Sequence, residues 1–339
     1  MRSPAPCLKL LAALPLLILG SACSPEPDLV LYVAHDQVYS EPLIQRFEEE
    51  TGLRVRAEYD SEASKTIGLV NRIRNEKNRP RCDVFWNNEV GHSVALAGEG
   101  ILASYDSPSA AEIPSTFRDS ENRWTGFAAR ARIFIVNTEK ADPAEIHGMQ
   151  DLLDPKWTGQ VGMARPLTGT TLTHASALFD VLGEEAALEY LRAVKTGNDA
   201  GGVNLSPGNG YTKDQVAKGQ LSFGWTDTDD FNDARLDGYP VVAVYPDQDG
   251  IGTLLIPNTV AILEDAPHRE AAEQFVDWLL RPEMERELAF SRAAQIPVRS
   301  SVERPEHVQS NLNFMKVDYQ VLGEAMVTRQ RVLQELFVD

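Results

Sequence analysis

Residues 29–52 read LVLYVAHDQVYSEPLIQRFEEETG, and this stretch decides the fold class. Leu29–Val33 is a continuous apolar run, which is typical of a strand buried on both faces of a parallel sheet. The residues that follow repeat apolar side chains at helical spacing until Gly52, which suits the end of a helix. A strand that leads into a helix is the repeating unit of α/β proteins.

The same unit recurs along the chain. Further strands are predicted at residues 53–59, 83–86, 161–164 and 221–226, and further helices at 65–77, 90–97, 171–182, 184–195 and 212–218. Two long β-rich runs, 130–137 and 252–263, carry the chain from the first set of units to the second and back. Two crossings of this kind make a hinge.

We therefore expect an α/β fold of two Rossmann-like lobes joined by two hinge crossings. The first part of lobe 1 is predicted at residues 29–128, lobe 2 with the hinge strands at 129–256, and the second part of lobe 1 with the C-terminal helices at 257–339.

The N-terminus has the features of a secretory signal. Positive residues precede a short apolar run that ends in small residues, and the run is too short for a mature membrane span. We expect residues 1–22 to be removed and residues 23–28 to form a polar tether. Cys23 resembles the acylated cysteine of bacterial lipoproteins, which predicts a lipid-anchored protein in the periplasm or cell envelope. Gly20 stands where such signals usually have Leu, so cleavage without lipidation stays open.

Composition excludes some classes of function. The chain has 50 acidic and 32 basic residues, a formal net charge of −18, and no basic stripe, so we expect no nucleic-acid partner. Sequence patterns of common enzymes are also missing, including the Gly-x-Ser-x-Gly elbow, the His-Glu-x-x-His pair and the Gly-rich dinucleotide turn. A cleft hydrolase built from His35 and Asp229 stays open as a different class of function, although nothing marks a nucleophile.

Four predicted strands end in polar turns, where ligands bind in open α/β sheets. The candidate ligand-binding residues in these turns are His35, Asp36, Asn88, Glu89, Thr168, Gly169, Thr170, Asp227, Asp229 and Asp230. Residues 168–171 open a helix, so their N–H groups and hydroxyls suit an anion, unless Thr168 simply caps the helix.

The aspartates after residue 226 have the opposite character. Three carboxylates within four residues repel one another unless water or a cation offsets them, and a solvated acidic loop is the simpler alternative. With Glu89 and either Asp36 or His35 across the cleft, the cluster suits a hard metal ion or an amine. His35 alone also suits a structural, hydrogen-bonded role.

Several segments match a known family. They are residues 31–33, 82–89, 129–132, 154–157 and 167–170, and Asn209 ten residues ahead of Gly219. On these segments the chain resembles the type II periplasmic binding proteins of ABC importers, in particular the ferric-iron-binding branch. The resemblance implies a monomeric binding protein rather than an enzyme, with no cofactor, Fe³⁺ as a transported ligand, and an ABC permease with its ATPase as partners.

The resemblance also implies roles for single residues. Glu89 matches the metal-binding glutamate of the family, and the contacts to its synergistic anion match Thr168, Gly169, Thr170, Asn209 and, at another position, Asp227. The paired iron-binding tyrosines of the family are replaced by Asp229 and Asp230, and its histidine falls on Asp36 or His35. We expect binding of ferric iron or a metal–anion complex, and the alternative is a small amine-containing phosphonate or phosphate.

Overall fold

The computed structural model of the protein describes residues 26–60, 66–305, 308–309 and 311–338. The predicted signal peptide, Cys23 and the first residues of the tether lie outside these ranges. The described strands are β1 Leu29–Val33, β2 Val55–Tyr59, β3 Val84–Asn87, β4 Thr125–Asn137, β5 Val161–Ala164, β6 Val203–Ser206, β7 Phe223–Asp227, β8 Val241–Val244 and β9 Leu255–Ile262. The described α-helices are α1 Gln37–Thr51, α2 Ile67–Asn75, α3 Gly91–Gly98, α4 Gly169–Leu182, α5 Glu184–Asp199, α6 Asn209–Ala217, α7 Thr228–Leu236, α8 Arg269–Leu279, α9 Pro282–Phe290 and α10 Tyr319–Phe337.

The strands join in the order β2-β1-β3-β9-β4-β7-β5-β6, with β8 paired to β4. At one end, β2, β1 and β3 run parallel, and at the other end β7, β5 and β6 do so. The two long strands β4 and β9 lie between these groups and pair antiparallel. Each parallel group therefore has its own set of strand-end turns, as expected for two Rossmann-like lobes.

Strand β4 passes from one group to the other. Its first half pairs with β9 as far as Ala131, and from Arg132 onward it pairs with β7 and β8. A bulge lies at Ala128, whose φ of 42° is in the left-handed region. The buried Glu285 accepts a hydrogen bond from the Ala128 N–H at 2.9 Å, so the irregular backbone is held by a fixed partner.

Successive side chains of a strand point to opposite faces of the sheet, and hydrophobic side chains bury both faces. In β1, Leu29, Leu31 and Val33 belong to one hydrophobic cluster, and Val30 and Tyr32 belong to another. Both clusters also include side chains of helices that follow strands of each parallel group. This explains why β1 is apolar throughout, as the sequence predicts.

The C-terminal helix α10 packs against α3 and α4, which follow strands of different groups. Its Arg329 Nη1 lies 2.7 Å from the Asp180 carboxylate on α4. None of the helices within the described ranges combines the length and apolarity that a membrane span needs.

Candidate functional site: an acidic cleft at the strand ends

The carboxyl ends of β1, β3, β5, β6 and β7 open into one small cavity. Its lining residues are Asp36, Asn88, Arg130, Ala164, Thr168, Gly169, Thr170, Thr171, Pro207, Gly208, Asn209, Asp227, Asp229 and Asp230. The cavity encloses about 40 Å³, which is room for an ion or a very few waters. The structure thus brings together every predicted site residue that it describes, except His35 and Glu89.

Three aspartates form the acidic wall of this cavity. Carboxylate oxygens of Asp227, Asp229 and Asp230 lie within 4.8 Å of one another, and the first two residues are buried. They stand at the start of α7, where the helix dipole stabilises negative charge. The Thr226 hydroxyl donates to Asp230 Oδ2 at 2.5 Å, which fixes the direction of that carboxylate. Such a cluster offers the hard oxygen donors that highly charged cations prefer.

Two arginines of β4 face the aspartates. Arg130 Nη1 lies 3.2 Å from Asp229 Oδ2, and Arg132 Nη1 lies 2.7 Å from Asp227 Oδ1. Arg130 also donates to the backbone oxygen of Asn88, so it joins turns of both strand groups. Burial lowers the pKa of Arg130, but Asp229 and Asp227 outweigh burial and raise it above its usual range.

The sequence places these arginines at the first crossing, and the strand-end rule does not include them in the site. A signal was present, because Arg130 and Arg132 are two residues apart in a strand and must project from the same face. Two arginines on one face of an otherwise apolar strand are rarely buried unless they are paired. That spacing alone predicts a carboxylate partner for each.

The predicted anion-binding turn is tied into the same network. The Thr170 hydroxyl donates to Asp227 Oδ2 at 2.6 Å, and the Thr171 hydroxyl donates to Asn209 Oδ1 at 2.8 Å. Thr168 occupies the N-cap position of α4, but its side chain makes no capping hydrogen bond. Gly169 has a φ of 56°, a backbone conformation that favours glycine. The turn therefore lines the cavity, and two of its hydroxyls are bonded to neighbouring side chains.

Glu89 is buried just before α3 and is not among the residues that line the cavity. Its two oxygens accept from the N–H groups of Gly91 at 2.6 Å and His92 at 3.0 Å, and they also contact Asn87 Nδ2, His92 Nδ1 and Thr173 Oγ1. Burial raises the pKa of this carboxyl, but His92 and the other donors outweigh burial and lower the pKa to about 2. Glu89 therefore serves as an ionised cap of α3 in this conformation.

His35 and Asp36 take different positions. Asp36 lines the cavity just before α1, whereas the His35 ring stacks on Trp86 with 5.2 Å between ring centroids. Asn88 lines the cavity as well, and its Oδ1 accepts from the Thr66 hydroxyl at 2.8 Å. Of the two candidates for the position of the family histidine, the structure thus brings Asp36 to the cleft.

The chain has recognisable relatives. The sequence model of the bacterial extracellular solute-binding proteins matches residues 42–316. The Fe(3+)-binding periplasmic protein of Serratia marcescens is 25% identical over 272 residues, which cover 80% of this chain and 79% of the relative.

Solved structures show the same fold. The ferric binding protein from Campylobacter jejuni superposes with a TM-score of 0.81 at 21% identity, covering 91% of this chain and 99% of that one. AfuA from Actinobacillus pleuropneumoniae, solved with fructose-6-phosphate bound, superposes with a TM-score of 0.79 at 21% identity, covering 91% and 98%. The predicted two-lobed fold of the type II periplasmic binding proteins is confirmed.

The matched family also decides between a binding protein and an enzyme. It consists of solute-binding proteins, which confirms the prediction of a binding role and leaves the hydrolase alternative without support. Since its sequence model covers most of the chain, this protein belongs to the family of bacterial extracellular solute-binding proteins.

Proposed function

We propose that the protein is the substrate-binding component of an ABC importer and binds ferric iron, alone or with a small anion, in the acidic cleft. The observation that carries this proposal is the set of three aspartates whose oxygens lie within 4.8 Å of one another in a cavity of about 40 Å³. A site of this size and donor type suits a single hard cation better than an organic solute, since pockets for drug-sized ligands typically enclose several hundred Å³.

The charges around the cavity support a cation. Four aspartates and one arginine are found among its described lining residues, and Arg132 pairs with Asp227. Lys213 is also near, since burial lowers its pKa but the charge of Asp230 outweighs burial and helps to raise it. Burying several like charges together is costly unless positive charge offsets them. A trivalent ion between Asp229 and Asp230 supplies that charge. The names of relatives such as the Serratia protein point to the same ligand.

The roles of single residues follow from their positions. We propose Asp229 and Asp230 as metal ligands, in place of the tyrosine pair of the family. Asp36 and Asn88 close the cleft from the opposite turns. For Glu89, metal binding stays a prediction, and its five donors favour the role of a helix cap instead.

A small phosphonate or phosphate that carries an amine is the second candidate. The helix N-termini of α4, α6 and α7 meet at the cavity beside Arg130, an arrangement that suits an oxyanion. AfuA, with its bound sugar phosphate, shares this fold. In this case the carboxylates of the acidic cluster bind the amine of the ligand.

Calorimetric titration separates the two candidates. We expect ferric citrate to bind the metal-free protein, and aminoethylphosphonate to give no heat. Asp230→Asn should weaken iron binding at least about tenfold, since it removes one charged ligand. Asp237→Asn makes the same charge change on an exposed residue and should bind as the wild type does. Heat with the phosphonate and none with iron would exclude the iron proposal.

The location and partners of the protein are part of the proposal. We propose that residues 1–22 are a signal peptide, that Cys23 is acylated, and that residues 23–28 tether the protein to the envelope. Residues 29–128 and 257–339 then form one moving lobe and residues 129–256 the other, and the monomer delivers its ligand to an inner-membrane permease with its ATPase. Mass spectrometry of the mature N-terminal peptide tests the anchor, because an unmodified N-terminus at residue 23 would exclude it.

A further inference from the structure

The Asp227 carboxylate lies between Arg132 of β4, Thr170 of the predicted anion-binding turn and Asn209 of α6. Its Oδ1 accepts from Arg132 Nη1 at 2.7 Å, and its Oδ2 accepts from Thr170 Oγ1 at 2.6 Å and Asn209 Nδ2 at 3.1 Å. Arg130 Nη1 lies 3.8 Å from the same Oδ2. Two hydroxyl or amide donors and two guanidinium groups around one carboxylate form the kind of donor set that recognises a small oxyanion.

The protons of this donor set are already used. A threonine hydroxyl has one proton, and Thr170 gives it to Asp227, so its oxygen acts as acceptor for Asn209 Nδ2 at 2.8 Å. Thr171 gives its proton to Asn209 Oδ1, and its oxygen accepts from Arg132 Nη2 at 3.3 Å. A carbonate or phosphate at this place would have to displace Asp227 from both hydroxyl and amide donors.

Asp227 also lies close to the other two aspartates of the acidic wall. One of its oxygens lies within 4.8 Å of oxygens of Asp229 and Asp230, the proposed metal ligands. A carboxylate accepts about four hydrogen bonds, and the three that Asp227 receives leave capacity toward a cation. Asp227 thus stands between the positive groups on one side and the cation position on the other, as a separate anion would.

We propose that Asp227 is the built-in anion of this cleft, so that the metal ion binds without carbonate, phosphate or citrate beside it. This inference rests on the proposed function and refines its ligand from a metal–anion complex to the metal ion alone. It has a consequence that does not depend on iron. Removing the Asp227 carboxylate leaves Arg130, Arg132, Thr170 and Asn209 around an empty space, which becomes a site for a small oxyanion.

Native mass spectrometry of the wild-type protein tests the first consequence. Iron is delivered as the nitrilotriacetate complex, the protein is desalted, and samples are compared with and without added bicarbonate, phosphate or citrate. We expect the mass of protein plus iron alone in every sample, and iron affinity that changes less than about threefold with the anions. Iron that is retained only together with a bound anion would overturn the proposal.

Calorimetry of the Asp227→Ala variant with formate and inorganic phosphate tests the second consequence. We expect both anions to bind this variant and neither to bind the wild type or Asp237→Ala. In anion-free buffer the Asp227→Ala variant should bind iron at least about 30-fold more weakly than the wild type, and formate should restore most of the affinity. Phosphate that binds the metal-free wild type would show that Asp227 does not occupy the anion position.

The two tests also separate this inference from the proposed function. Wild-type protein that takes up no iron under any condition would exclude iron capture, while anion binding gained by Asp227→Ala would still support a built-in anion. If Asp227→Ala does not fold, as judged by circular dichroism, the mass spectrum of the wild type alone shows whether iron binds with or without a separate anion.

Discussion

At the scale of single residues, the site consists of charges that are fixed by neighbours rather than by solvent. Asp227 is held by Arg132 and Thr170, and Glu89 is held by the start of α3. Burial raises the pKa of Asp227, but Arg132, Arg130 and the Thr170 hydroxyl outweigh burial and lower it. Both carboxyls therefore stay ionised where the cleft needs defined acceptors.

Glu89 predicts a dependence of stability on pH. The pKa of its carboxyl is lowered from 4.5 to about 2, so this carboxylate stabilises the folded state above pH 4.5, and that stabilisation is lost as the pH falls toward 2. We expect Glu89→Gln to lower the free energy of unfolding by about 3 kcal/mol at pH 7, and the difference from the wild type to shrink between those pH values.

Urea unfolding at a series of pH values measures this difference. Glu139→Gln removes an exposed carboxylate and serves as the control. A Glu89→Gln variant that is as stable as the wild type at pH 7, but has lost its ligand, would instead favour the metal-binding role.

The sequence predicts much of the site at this scale, because strand ends of open sheets are where ligands bind. That rule predicts Asp36, Asn88 and the residues of the turn after β5, whereas Asn209 is predicted only by the family resemblance. It does not distinguish Glu89 from the lining residues, because the Glu89 side chain turns back to the N–H groups of Gly91 and His92 at the start of α3. Hydrogen bonds between the turns, such as Thr170 to Asp227, join residues 57 positions apart and leave no local pattern.

At the scale of helices and strands, β4 and α10 connect the two groups of parallel strands. The sequence predicts the β4 crossing, because a long apolar run stands between the two sets of units. The structure extends this strand to Thr125, so it carries both Ala128 with its bulge and the two site arginines. One continuous strand thus joins the hinge to the cleft.

The position of α10 was not predicted beyond its assignment to the second part of lobe 1. Its Gly323 lies against α3 so closely that a Cβ atom would stand 2.2 Å from Val94 Cβ and 2.9 Å from the Gly91 oxygen. Close approach between helices at a glycine cannot be read from the periodicity of either helix alone.

The close approach of Gly323 to α3 predicts the effect of adding a methyl group at this position. Gly323→Ala should lower the free energy of unfolding by about 1–3 kcal/mol, because the backbone of α3 cannot move aside at small cost. Gly98→Ala, at the other end of α3, places its Cβ in open space and should instead raise that free energy by about 0.5–1 kcal/mol through helix propensity. Urea denaturation of the two variants checks this, and equal stabilities would contradict the packing described for α10.

At the scale of the whole molecule, two lobes enclose a very small acidic cavity. The fold class follows from the repeated strand–helix units and the two long crossings, and the sequence is sufficient for it. The ligand does not follow in the same way, because the resemblance to the ferric-iron-binding branch implies tyrosines where Asp229 and Asp230 stand. The structure adds the size of the cavity and the excess of carboxylates over arginines in its lining, and both support a small cation.

The iron content of the wild-type protein, purified without chelators, tests the capture of iron most directly. Elemental analysis should find iron equimolar with the chain in the wild type and in Asp237→Asn, and almost none in Asp229→Asn/Asp230→Asn, while all three proteins remain folded. Wild-type protein that is free of iron and carries an organic phosphate or phosphonate would contradict the proposed function.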